Sequence, residues 1–123
     1  MKRIPLSAMA VAQLVDLFAR NCAEQDKADL EGNMAKYRRL FQGMKEIHDE
    51  LKSRPGDQRR ELIALFDYPN MQVRLQAAKL TLAVAPLEAR SQLEAIVASK
   101  WMPQAGDAGM CIDNLDSGFY KPE

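Results

Sequence analysis

The 123-residue chain has one histidine, two cysteines and no excess of charge of either sign. Each shortage excludes something. A zinc or di-iron site normally draws on more than one His or Cys at helical spacing. Here His48 stands alone, and the residue three before it is Lys45, so no Glu-x-x-His pair exists. With only Cys22 and Cys111, there is no disulfide framework. Both fall in helical apolar stripes, which fits buried thiols in a reducing compartment; a bridge would require the first and last helices to meet there. Lys+Arg and Asp+Glu balance at 17 each, which removes any bulk electrostatic pull toward nucleic acid or an anionic membrane. No apolar run approaches the ~20 residues of a spanning helix. Lys2-Arg3 before Ile4–Ala12 imitates a secretion signal. Pro5 and Ser7 interrupt it, and the helical pattern runs on into Leu14, Phe18 and Cys22. A cytoplasmic location is the expectation.

Phosphate loops are also missing. Gly106-Asp107-Ala108-Gly109 is a bare GxxG without the lysine, the preceding strand or the third glycine of a nucleotide fingerprint. A small-residue helix contact accounts for it. No Ser or Cys sits in a recognisable nucleophile elbow. The sequence therefore offers no catalytic, cofactor-binding or metal-binding residues, and the expectation is a protein that is not an enzyme.

What is present is helical periodicity. Hydrophobic residues make up 47% and charged residues 28%, an ordinary globular composition and enough apolar content for one domain with a core. Ser7 is the expected cap of a first helix burying Val11, Leu14, Val15, Phe18 and Cys22, with Met1–Leu6 a flexible lead. Gly32-Asn33 stops it and caps the next. Met34, Tyr37, Leu40, Phe41, Met44, Ile47, His48 and Leu51 then make one apolar stripe, ended by Ser53-Arg54-Pro55-Gly56. Residues 7–54 read as a long helical hairpin. Asp57 is placed to cap a third helix carrying Leu62, Ile63, Leu65 and Phe66.

The chain is organised around Asp67–Arg90. Pro69 closes one helix and Asn70 caps the next, Met71–Val84, which is apolar on two stripes and so interior. Pro86 fits the first position of a fifth helix, burying Leu87, Leu93, Ile96 and Val97. After the turn Lys100–Pro103 comes a sixth helix with Met110, Cys111 and Leu115, weakened by Gly106 and Gly109 and expected to start raggedly. Gly118 is placed to end it, with Phe119-Tyr120 folding back on the core.

Leu65–Ala78, with its Asp-x-Pro turn leading to Val73-Arg74 and small residues, resembles the core of a HEAT-type helical repeat. More closely, Tyr68–Ala85 together with Gln104–Met110 resembles a small bacterial all-helical family, domain of unknown function 2019, over nearly the whole chain. The resemblance implies an all-α fold of five to six helices, a HEAT-like α-α superhelix with an N-terminal hairpin. It carries over no catalytic residues. Aligning Pro69 with Pro103 sets Leu62-Ile63 over Ile96-Val97, so residues 57–118 read as two degenerate helix pairs within one domain, 1–123.

The expected function is a protein-interaction module, with an immunity or toxin-neutralising protein as one concrete type suggested by analogy. The alternative is nucleic-acid binding through the cations of residues 36–60, among them Arg38, Arg39, Arg59 and Arg60. For the alternative those cations would have to share one face, whereas a solvated amphipathic helix accounts for them as well. A hydrolase or base-excision enzyme would need a carboxylate in an aromatic cleft, which the sequence does not show. Among single residues, Tyr68 and Trp101 are candidate contact aromatics, Trp101 serving equally well as a cover for the end of the helix stack. Arg74 is placed to brace the turn before its helix. An end-to-end homodimer is open to a short helical stack with apolar ends.

Overall fold

The computed structural model describes residues 4–123. Among them are five α-helices, two 310 segments and no strand: α1 (Val11–Leu30), α2 (Met34–Ser53), α3 (Met71–Thr81), α4 (Pro86–Ser99) and α5 (Gln104–Asp116), with the 310 segments at Leu6–Ala8 and Gln58–Leu65. The chain is all-α. It divides into two compact units, Met1–Glu61 and Leu62–Glu123.

In the first unit α1 and α2 form the expected hairpin. Gly32 turns the corner at φ 71, where a side chain would be strained, and Asn33 N–H reaches back to the Ala28 carbonyl at 2.9 Å. The Asn33 side chain then accepts from Lys36 N–H at 3.1 Å and starts α2. Leu14, Phe18, Ala19, Cys22 and Ala28 of α1 are buried, as are Met44, Ile47 and Leu51 of α2. One buried polar group spans the seam: Gln25 Nε2 donates to Asn21 Oδ1 at 2.8 Å and reaches Met44 Sδ at 3.4 Å.

Two expectations for this unit are corrected. Ser7 does not cap α1. It lies in the 310 segment, and the first helical turn is closed by Gln13, whose side chain accepts from Ala10 N–H at 2.8 Å. The flexible lead falls partly on residues 1–3, outside the described residues. From Leu6 onward the lead is tied down, since Arg54 donates to the Leu6 and Met9 carbonyls at 3.0 and 2.8 Å while pairing with Glu50 at 2.6 Å. The second correction concerns α2. Its apolar stripe is buried only from Met44 onward, leaving Met34 and Phe41 45% and 37% exposed.

The expected third helix is a 310 segment. Its buried residues, Arg59, Leu62 and Leu65, recur every third position, which is the 310 repeat rather than the α repeat. An arginine at the first of these positions conceals the period from a search for apolar spacing.

In the second unit α3, α4 and α5 pack on one another around Leu75, Ala78, Leu82, Ala89, Leu93, Ile96, Ala108 and Cys111. Asn70 caps α3 as expected, its oxygen accepting from Gln72 and Val73 N–H at 2.9 and 3.2 Å. α3 stops at Thr81, not Val84. The last turn tightens, with Val84 N–H donating to the Thr81 carbonyl at 3.1 Å, and Pro86 biases Ala85 away from the helical region. Pro86 instead opens α4. α5 is regular from Gln104 to Asp116, with Pro103 as its cap residue rather than its first helical residue. Neither glycine is demanded by a lack of space: a Cβ on Gly106 would stand 3.6 Å from Met102 Cε, and one on Gly109 would stand 3.8 Å from Val97 Cγ2, both ordinary contacts. Gly118 ends α5 at φ 77, and Tyr120 N–H turns back to the Asn114 carbonyl at 3.0 Å, but Phe119 is 83% exposed and does not fold back.

Candidate functional site

The cations singled out in the sequence separate into two groups in the first unit. Arg59 is internal. Its side chain is 5% exposed and grips Asp57, with Nε–Oδ1 at 2.9 Å and NH2–Oδ2 at 2.7 Å. Its NH1 also stands 3.4 Å from His48 Nε2, while His48 Nδ1 lies 2.9 Å from Asp49 Oδ1. The order Asp57–Arg59–His48–Asp49 is a structural tie that fixes the turn after α2. The hydrogen-bonded Arg59 guanidinium holds the Asp57 carboxyl below its usual range. Lys36 is similarly engaged, 3.5 Å from Glu24, and Arg54 is committed to Glu50 and the N-terminal carbonyls. Arg38, Arg39 and Arg60 are exposed. The residues of 36–60 therefore do not act as one cationic set.

Arg74, in the second unit, braces the turn. Its Nε donates to the Tyr68 carbonyl at 2.6 Å, and its NH2 lies 3.4 Å from the Asp67 carbonyl. Tyr68 itself is half-buried. Arg74 thus faces its own turn, and what it stabilises is the approach to the Asn70 cap.

Trp101 is different. It is 63% exposed at the α4–α5 corner, where Lys100 ends α4 in the left-handed region at φ 58. Met102 is 70% exposed and Met110 66%. Met102 lies across Gly106, and Met110 is one turn further along α5, so the two methionines share a face. Val97 is one turn before Trp101 on the other helix and faces Gly109, where an added Cβ would stand 3.8 Å from it. Sequence periodicity marked Val97 and Met110 as core, because a spacing count registers apolar residues whether or not anything covers them. Three polar ties hold the helices beneath: Lys79–Asp107 at 3.1 Å, Arg90–Asp116 at 2.7 Å, and Gln104 Nε2 to Gln72 Oε1 at 3.1 Å.

Cys22 and Cys111 are free, buried thiols, and burial raises the pKa of both. Such thiols are poor nucleophiles. Among the described residues no three His, Cys, Asp or Glu side chains are grouped to hold a metal ion, and no helix is long and apolar enough to cross a membrane.

No curated protein matches the chain. Among solved structures it is similar to the protein RPA1889 from Rhodopseudomonas palustris CGA009, at 62% identity and a TM-score of 0.95, covering 98% of this chain and 100% of that one. The family model described as Domain of unknown function (DUF2019) matches residues 12–116. This all-helical chain, with its matched region running from the start of α1 to the end of α5, belongs to that family.

Proposed function

We propose that the protein is a non-enzymatic protein-interaction module that docks a partner on the α4–α5 corner. The observation that carries this reading is the group Trp101, Met102 and Met110, three large apolar side chains at least 63% exposed within one short helical hairpin. Scattered exposed apolar residues need no explanation, but a cluster of this kind is the usual mark of a contact surface. Trp is enriched among residues that dominate binding energy, and methionine adapts its shape to a partner. The helix pairs offer the rigid support that short helical stacks provide for such surfaces.

Affinity capture of the tagged protein from lysate of its own cells, with and without nuclease, tests the reading. A stoichiometric protein retained after nuclease treatment supports it. Recovery that depends wholly on nucleic acid would move the assignment to the exposed cations of α2, and an empty capture would count against a stable complex of either kind.

A further inference from the structure

The open half of α2 carries a second pattern, independent of the α4–α5 corner. Met34, Phe41 and His48 recur every seven residues, and so do Arg38, Lys45 and Lys52. A seven-residue repeat drifts only ~20° per step around a helix, so each set is a row along its length, and the two rows lie side by side. Met34, Arg38, Phe41, Lys45 and Lys52 are all exposed. The Tyr37 ring stacks on Phe41, centroids 6.4 Å apart and 16° from parallel, which makes the apolar row broad and stiff. None of Arg38, Lys45 and Lys52 has a described carboxylate within 4 Å, and only Lys52 acts on one at longer range, Asp57. Asp49, the nearest carboxylate along the row, is turned to His48.

We infer that this face of α2 docks an acidic amphipathic helix, its apolar stripe on Met34, Tyr37 and Phe41 and its carboxylates, one per heptad, opposite Arg38, Lys45 and Lys52. The spacing selects this occupant. Successive cations are seven residues apart, about 10.5 Å along the axis, and a partner helix with Glu at every seventh position has the same rise. A second copy of the chain fits poorly, because two such faces paired antiparallel would set the cation row against itself. A single-stranded nucleic acid fits poorly too. Tyr37 and Phe41 present one face each to the other rather than to bases.

The test is fluorescence anisotropy with a labelled peptide of about 21 residues, three heptads, bearing Leu at the seam and Glu flanking it. A matched peptide has Lys for each Glu. The Glu peptide should bind at least about tenfold more tightly than the Lys peptide, with the gap narrowing as salt is added. Arg38→Glu/Lys45→Glu/Lys52→Glu should reverse the preference, which a simple loss of fold cannot do. Phe41→Ala should weaken the Glu peptide without reversing it. Equal binding of the two peptides, or no reversal in the triple variant, would overturn the inference. So would saturable binding of a single-stranded RNA oligomer lost in the triple variant, or dimerisation lost with Phe41→Ala. Each of these leaves the Trp101 surface untouched, because that surface is on other helices.

Discussion

Arg74 holds the carbonyl of Tyr68 at 2.6 Å, reaching back six residues from the first turn of α3 to the turn that precedes it. The bond is charge-assisted and half-buried, so it should outweigh an exposed ion pair. Arg74→Ala should lower unfolding free energy by about 1–2 kcal/mol in urea titration. Arg74→Lys should recover only part of this, because a point ammonium cannot span the Tyr68 and Asp67 oxygens as the planar fork does. Full stability in Arg74→Ala would remove the brace from the account.

Much of this region was legible in the sequence. Pro69, Asn70 and Pro86 act through their own backbone chemistry, which needs no knowledge of what packs nearby. Arg59 was not legible. Its guanidinium occupies an interior position at the 310 repeat, held by its near neighbour Asp57, and only the fold brings His48 to it. The open surfaces were hidden for another reason. Met34, Phe41, Val97 and Met110 follow the same spacing as buried residues, and periodicity does not say where the covering neighbour ends. Ser7 and Phe119 show the reverse limit: suitable chemistry, with Ser7 outside the cap of α1 and Phe119 left at the surface.

Acid should act through Asp57. Its folded pKa lies below the ordinary carboxylate value, so the Arg59 contact contributes stability at neutral pH. That contribution is present above the unfolded value of about 3.9 and is lost as pH falls through the folded one. Asp57→Asn removes it. The stability gap between wild type and variant, from thermal melts, should be widest above about pH 5 and shrink below pH 4. A gap independent of pH would mean that the carboxylate charge plays no part.

Gly109 offers a stabilising change. It lies within α5, and an added Cβ would meet Val97 at 3.8 Å, an ordinary contact. Gly109→Ala should therefore stabilise the chain by about 0.5–1 kcal/mol, through helix propensity. Destabilisation in the same melt would show that the α4–α5 spacing has no room for a methyl group.

The thiols should be silent. Cys22 is fully buried and Cys111 nearly so, and the pKa of each is raised mainly by loss of solvation. Ellman titration of the native protein at pH 8 should be slow, with both thiols reacting promptly once the chain is unfolded in guanidinium. Fast reaction of the native protein would place a thiol at the surface.

If the α4–α5 corner is a contact surface, the captured partner should distinguish Trp101→Ala/Met110→Ala from wild type in a side-by-side affinity measurement. Both residues are largely exposed, so circular dichroism and the melting midpoint should stay close to those of wild type. Binding should weaken by at least ~2 kcal/mol, about thirtyfold, as expected when a tryptophan anchor is removed. A folded double variant that holds the partner as tightly as wild type would contradict the account.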